Sequence, residues 1–349
     1  MNAPLNELLK QTSRSFHLTL RVLPRAVRAQ ISLAYLLART TDTVADTELV
    51  PVAQRLQALQ QLRERILGTS HAPLNFGDLA RRQGSPAEGG LLEHVEASLA
   101  GLRTLSSEDL KLVRQVLDTI TNGQELDLRR FASASAENII ALRDDAELDD
   151  YTYRVAGCVG EFWTRLCIAH LFHFVELDEF ATSSSFEKLG VRFGKGLQLV
   201  NILRDCPADL RQGRCYLPLA RLAETGLKPP DLLLPAHEPK FRPLYHRYLD
   251  LAERHLAAGW LYTESIPRGQ ISIRLACAWP ILIGAETIRR LRIENVLDPA
   301  RRVKVSRAEV RVIIARSVLR YAWPPAWRRL FPAREPAFWK AVASGEHIQ

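Results

Sequence analysis

No apolar run in this chain reaches the roughly 18–20 residues that a membrane-spanning helix requires. The opening residues, MNAPLNELLK, contain no apolar stretch of the kind a secretory leader carries. Cysteine is sparse: Cys158, Cys167, Cys206, Cys215 and Cys277 make an odd set with neither metal-like nor disulfide-framework spacing. They are expected to be reduced thiols in a cytoplasmic protein, soluble or peripherally attached to a membrane. Alternating strand patterns are missing, as is any recognisable nucleic-acid motif. Acidic charge is in deficit, with 39 Asp and Glu against 47 Lys and Arg, a net charge of +8. That balance suits nucleic acid, an anionic membrane or phosphorylated substrates about equally.

Helical periodicity fills the space these absences leave. Apolar residues make up 47% of the 349, enough for a large core. Length alone suggests two domains, but no linker is visible, so the expectation is one all-α domain over 1–349. Its core would span about 13–320, followed by a tail over 321–349. Helices are predicted over 24–47, 51–67, 90–101, 106–132, 144–175, 184–206, 240–264, 268–293 and 306–320. Leu56, Leu59, Leu62 and Ile66 form one apolar stripe, and Leu110, Val113, Leu117 and Ile120 another. Ser106, three residues before Asp109, reads as a cap, and Pro24 as a helix start. The Gly- and Pro-rich stretches 68–90 and 223–243 read as loops. Pro207 is expected to kink or end its helix, and Pro280 to kink another. The tail interleaves Trp323, Trp327, Phe331, Phe338 and Trp339 with Arg328, Arg329, Arg334 and Lys340. It reads as packed over the core, with contact to a membrane surface as the alternative.

Two acid pairs carry the chemistry. Asp42 and Asp46 lie in RTTDTVADT, and Asp205 and Asp209 in NILRDCPADL. Each pair has i,i+4 spacing and continues a polar run one helical turn apart: Tyr35 and Arg39 before the first, Gln198 and Asn201 before the second. The flanking residues, ISLAYLLA and LVNIL, are apolar, so the polar stripes are expected to line a site. A lone DxxxD is usually a solvated helix face; two such pairs in register with further polar residues favour a site. Mg²⁺ takes hard oxygen ligands and is commonly shared between carboxylates and substrate phosphates. Arg14, Arg39 and Arg204 could add bidentate phosphate contacts. The pattern therefore suits metal-assisted departure of a diphosphate, with Mn²⁺ able to stand in for Mg²⁺.

Four segments resemble the squalene/phytoene synthase family, the head-to-head prenyl synthases. They are SRSF at 13–16, YLLARTTDTVAD at 35–46, YTYRVAGCVG at 151–160 and LQLVNILRDCPADLRQGRCYLP at 197–218. The resemblance implies the isoprenoid (terpenoid) synthase fold, one helical domain around a central cavity. It implies that Asp42, Asp46, Asp205 and Asp209 hold Mg²⁺ and diphosphate, and that Tyr151 handles a proton or cation, with an aromatic structural role as the alternative. Ser15, Phe16, Tyr35, Arg39, Gln198, Asn201 and Arg204 would contact substrate. Gly157 and Gly160 match family glycines that break a helix or allow close approach.

LACAWP at 275–280 and RRVKVSRAEV at 301–310 resemble squalene synthases more than phytoene synthases within that family. The second implies NADPH binding through Lys304 and Arg307, with Arg14, Arg39 and Arg204 near cofactor or diphosphate; a solvated basic loop is the alternative. Three positions depart from the pattern: Ser306 replaces a frequent basic residue, and Ala45 and Ala208 replace frequent glutamates. The implied activity joins two farnesyl diphosphates into presqualene diphosphate and reduces it with NADPH to squalene, without a nucleic-acid partner. The alternatives are dehydrosqualene, phytoene or presqualene diphosphate synthesis without hydride transfer, or a silent lipid-binding relative.

Overall fold

Proline and serine set where the long helices begin. Pro24 and Pro51 precede helices at φ −56° and −54°, and Ser106 caps a third by accepting the Asp109 N–H. The computed structural model describes residues 3–13, 16–172, 183–298, 300–332 and 334–345, except for the side chains of 3, 4, 16–18 and 183. Its contacts divide the chain into one unit of Met1–Ala132 with Phe162–Phe172, and a second of Ser133–Glu161 with His173–Gln349.

The first unit contains α1 (Ala3–Ser13), α2 (Phe16–Val22), α3 (Arg25–Asp46), α4 (Val52–Leu67), α5 (Gly77–Arg81), α6 (Pro86–Glu93), α7 (Val95–Leu102) and α8 (Ser107–Arg130). Helices α3, α4 and α8 pack against one another, and α6 and α7 lie on α3. Leu36, Leu37, Leu59, Leu62, Val113 and Leu117 are wholly buried between them, each contributing roughly 1.5–3 kcal/mol of transfer free energy. Gly68 ends α4 at φ +79°, a conformation glycine adopts without strain, and donates its N–H to Glu64 O at 2.9 Å. The predicted helix over 90–101 is two helices broken at His94, and the predicted loop 68–90 holds α5 and the start of α6.

The second unit contains β1 (Ile140–Ala141), α9 (Asp145–Thr152), a π turn (Tyr153–Gly157), α10 (Cys158–His170), α11 (Ser183–Arg211), β2 (Arg214–Cys215), α12 (Leu219–Glu224), α13 (Glu238–Ser265), α14 (Ile271–Leu291), α15 (Arg307–Arg320), α16 (Pro324–Arg328) and α17 (Pro336–Ser344). The division between the units falls inside α10. β1 and β2 form a two-residue parallel ladder, a small departure from the strand-free expectation. Helix α13 packs against α11, α14 and α17. The predicted helix 144–175 is interrupted by the π turn, and its last residues, 173–175, lie outside the described residues.

Close approach explains the π turn. A Cβ on Gly160 would stand 1.9 Å from Gly190 O, and one on Gly194 would stand 2.1 Å from Ala156 O. Here α11 meets the π turn and the start of α10 backbone to backbone, a contact only glycine permits.

Pro207 does not end its helix: α11 runs on to Arg211, with Asp209 inside it. A proline at 207 cannot donate to the carbonyl of Leu203, one turn back. That carbonyl instead accepts the hydroxyl of Tyr245 on α13 at 3.0 Å, and Tyr245 is fully buried. Tyr245→Phe is expected to cost about 1–3 kcal/mol, because a buried acceptor loses its donor. Equilibrium urea unfolding measures this, and an unchanged midpoint would remove the role assigned to the hydroxyl.

The tail is packed down. Trp327 and Phe331 stack on Trp260 of α13 at 5.4 and 5.8 Å between centroids, and Val342 of α17 is buried. Among the described residues, α14 alone is long and apolar enough to cross a membrane, a candidate that the sequence expectation did not include; 61% of its apolar window is buried inside the fold.

Candidate active site

On α3 the first acid pair occupies the one accessible strip of a buried helix. From Gln30 to Thr47 every residue is buried except Tyr35, Ala38, Arg39, Asp42 and Asp46. These follow one another at spacings of 3, 1, 3 and 4, a single helical face. Apolar neighbours bury the other faces, and Thr40, Thr43 and Thr47 return their hydroxyls to carbonyls one turn back.

Along this strip Tyr35 donates its hydroxyl to Thr12 O at 3.0 Å. Arg39 lies 3.5 Å from Asp42 and 2.8 Å from Glu88. Gln124 of α8 donates its amide to Asp42. The other amide atom of Gln124, Oε1, is buried without a hydrogen-bond partner. Burial, then the neighbouring Asp46 carboxylate, pushes the Asp42 carboxyl up to about 6; Arg39 and Gln124 oppose this. Asp42 is ringed by protein yet keeps 43% of its side-chain surface accessible, so water screens the effect and its contribution to stability is small. For a carboxyl held above its ordinary value, the native state holds the proton more tightly than the unfolded chain. The resulting stabilisation is present below about 3.8 and lost as pH rises through about 6.

The second pair shows the same logic on α11. Leu199, Val200, Ile202, Leu203, Cys206 and Leu210 are buried, whereas Gln198, Asn201, Arg204, Asp205 and Asp209 retain accessible surface. Arg204 grips Asp205 with two nitrogens, Nε at 2.9 Å, and this hydrogen bonding holds the guanidinium above its ordinary value. Tyr151, two residues before the π turn, stacks on Tyr216 with centroids 4.6 Å apart. The departures at 45 and 208 differ in setting: Ala45 is buried off the strip, and Ala208 is exposed.

Lys304 lines a cleft of about 450 Å³ with Arg289, Arg290, Arg301 and Arg302, against a single acid, Glu294. Arg307 is not in its lining and opens α15 instead. Ser306, where a second basic residue was expected, caps that helix in a reciprocal pair with Glu309, which accounts for a serine there. Arg242 of α13 binds Leu291, Arg292 and Glu294 carbonyls at 3.2, 3.2 and 2.8 Å. Tyr245, three residues on, holds Leu203. The first turns of α13 thus bring the end of α14, beside the basic cleft, and the acid end of α11 to one end of the second unit.

Arg14 and Ser15 lie outside the described residues, and nothing is described for the Phe16 side chain. Gln124 escaped the sequence reading, although it continues the α8 stripe of Val113, Leu117 and Ile120 as a polar residue in an apolar register. The buried Asp109 was read only as a cap. It also accepts from Gln30 at 3.0 Å and meets His170 at 2.7 Å; burial pushes its carboxyl up, but these hydrogen bonds prevail and hold it below its ordinary value. All five cysteines are buried free thiols, and burial pushes Cys158 and Cys215 up to about 12.

Among the described residues no three His, Cys, Asp or Glu side chains converge into a self-sufficient metal site. Paired carboxylates on each strip fit a hard cation that completes its shell with water and ligand phosphate. The orphaned Gln124 oxygen offers an acceptor for such a water.

The helical architecture is the isoprenoid-synthase fold, as the likeness to solved structures shows. TcSQS bound to the ligand BPH1237 superposes with a TM-score of 0.73 at 20% identity, covering 98% of this chain and 97% of that one. Squalene synthase HpnC from Alicyclobacillus acidocaldarius gives 0.56 at 19%, covering 82% and 92%. The chain belongs to the squalene/phytoene synthase family, whose model matches residues 9–309. It is 30% identical over 283 residues to a bifunctional lycopene cyclase/phytoene synthase of Gibberella fujikuroi, covering 79% of this chain and 46% of that one. It is also 30% identical to a presqualene diphosphate synthase of Rhodopseudomonas palustris, covering 73% and 76%. A squalene synthase of Saccharomyces cerevisiae is 27% identical, covering 66% and 49%. The chain thus spans about half the length of the bifunctional fungal and yeast relatives.

Proposed function

We propose that this enzyme condenses two molecules of farnesyl diphosphate head to head into presqualene diphosphate and reduces that product with NADPH to squalene. The observation that carries the reading is the pair of acid strips: on α3 the accessible line of an otherwise buried stretch, and on α11 a polar line between the buried Leu199, Val200, Ile202, Leu203, Cys206 and Leu210. Asp42 and Asp46 on one strip and Asp205 and Asp209 on the other would hold Mg²⁺. Bound there, the metal would offset the charge that develops on a departing diphosphate. Arg39 and Arg204, each beside an acid of its strip, would turn their guanidinium groups to phosphate oxygens. Gln124 orients the Asp42 carboxylate. Tyr151, held by its stack on Tyr216, presents an aromatic ring and a hydroxyl suited to a carbocation and the proton it sheds. Joining two C15 units into the cyclopropyl diphosphate releases one diphosphate and one proton. Reduction releases the second diphosphate and adds a hydride, which NADPH would supply. The cleft of Lys304 with Arg289, Arg290, Arg301 and Arg302 suits its phosphates.

A second reading ends at presqualene diphosphate. It is favoured by length: the presqualene diphosphate synthase of Zymomonas mobilis matches 84% of this chain and 84% of its own at 29% identity. Incubating the protein with farnesyl diphosphate and Mg²⁺, with and without NADPH, separates the two. Squalene formed only with NADPH is expected. Presqualene diphosphate under both conditions would establish the second reading, and no C30 product under either would overturn both.

A further inference from the structure

Helix α15 is fixed on its inner side and open on its outer side. Inward, Ser317 is fully buried and accepts the indole N–H of Trp279 on α14 at 2.9 Å. Outward, Val312 is 54% exposed, Val318 50% and Leu319 80%, and Trp323 just past the helix end is 68% exposed. Val312, Ala315, Leu319 and Ala322 follow at spacings of 3–4 residues and form one line. Val312 also lines a groove of about 490 Å³ with Leu282 and Ile288 of α14, so the apolar surface continues inward from the helix. Such a patch on a solvated surface marks a docking face.

Its charge identifies the occupant. Arg307, Arg311, Arg316 and Arg320 are spread along the 14 residues of α15. The helix's one acid, Glu309, is taken by Arg290 and by the Ser306 cap. A second copy docked face to face would set these arginines against themselves. Nucleic acid would leave Leu319, Val312 and Trp323 without a use. A basic helix with an apolar line and a terminal tryptophan matches the interface of an anionic bilayer, where the line enters the acyl boundary and the arginines meet phosphates.

We propose that α15, with Trp323 at its end, docks this protein on an anionic lipid surface. Membrane contact through the aromatic tail is the sequence's alternative to packing over the core; within that tail Trp327 and Phe331 are buried against Trp260, and Trp323 is exposed. The exposed face before them is therefore the docking element. This inference does not depend on which reaction the enzyme performs.

The test is co-sedimentation of the full chain with phosphatidylcholine vesicles containing about one-third phosphatidylglycerol, and with phosphatidylcholine vesicles alone. Binding is expected to the anionic vesicles and to weaken in high salt. Replacing Arg311, Arg316 and Arg320 by Gln together should lower partitioning by roughly 100-fold, taking each arginine near the surface as worth about fivefold. The pair Leu319→Ser and Trp323→Ser should also release the protein, with an unchanged melting temperature showing that the fold is intact. A blue shift of tryptophan emission on vesicle addition should be lost in Trp323→Phe. Equal partitioning to neutral vesicles, or undiminished binding by these variants, would overturn the proposal. So would duplex DNA binding as tight as vesicle binding, which would assign the face to nucleic acid. A dimer in solution dissociated by Leu319→Ser would assign it to self-association.

Discussion

Asp42→Asn and Asp205→Asn are each expected to lower turnover of farnesyl diphosphate by about 10²–10³-fold, the scale of losing one group that stabilises developing charge. The two changes test different strips, since Asp42 sits between Arg39 and Gln124 and Asp205 is gripped by Arg204. For Asp42 a second readout separates loss of chemistry from loss of fold. Its carboxyl, pushed up to about 6 by burial and by Asp46, is ionised at pH 7 against the preference of its surroundings. Neutral Asn removes that conflict, so the melting temperature should hold or rise while activity falls. In the parent protein, lowering pH through about 6 should weaken Mg²⁺ binding, because metal and proton compete for the carboxylate. Steady-state kinetics across Mg²⁺ concentration and pH, with thermal melts of both variants, provide the check. Full activity in both variants would remove the acid strips from the mechanism.

Gly160→Ala and Gly194→Ala should be severely damaging for changes of a single methyl group. The added carbons would stand 1.9 Å from Gly190 O and 2.1 Å from Ala156 O. Both obstacles are backbone atoms, so no rotamer change can relieve them. Relief requires α11 to move away from the π turn and the start of α10. Overpacking usually costs about 1–3 kcal/mol, and a clash with backbone should reach or pass the upper end. Activity should fall with stability, because α11 also carries Asp205 and Asp209. Gly84→Ala is the matched control: its methyl would meet nothing within 4 Å, so stability should move by less than about 0.5 kcal/mol. Denaturant midpoints of the three variants decide the matter. A midpoint for Gly160→Ala equal to that of Gly84→Ala would mean the helices are not in backbone contact.

The acid strips were legible in the sequence because a helix buried on its other faces leaves a plain signature: polar residues at one register in an apolar background. The same rule, carried one turn beyond Ile120, reaches Gln124, whose polarity was hidden by the charged residues that follow it. The course of α11 past Pro207 was not legible. Its missing hydrogen bond is replaced by Tyr245, 38 residues later, and no local pattern announces that partner. The π turn was likewise invisible, since it packs against Gly194 of α11, a partner far along the chain. Ser306 shows the converse case. Against the family pattern it reads as a lost cation, yet Glu309 three residues on already spells a cap. In the tail, composition correctly picked out the aromatic residues but could not say which faced inward; stacking on Trp260 decided that.

The hydroxyl of Tyr245 has a mechanical consequence. A helix turn deprived of its own hydrogen bond takes its pitch from whatever holds the free carbonyl, and here the holder belongs to α13. Three residues earlier on the same helix, Arg242 clasps three carbonyls at the end of α14 beside the basic cleft. Two clasps on less than one turn of α13 make a short rigid yoke. A ligand that shifts the loop of Lys304 would therefore tug the turn that carries Asp205, and a ligand at Asp205 would tug the loop in return.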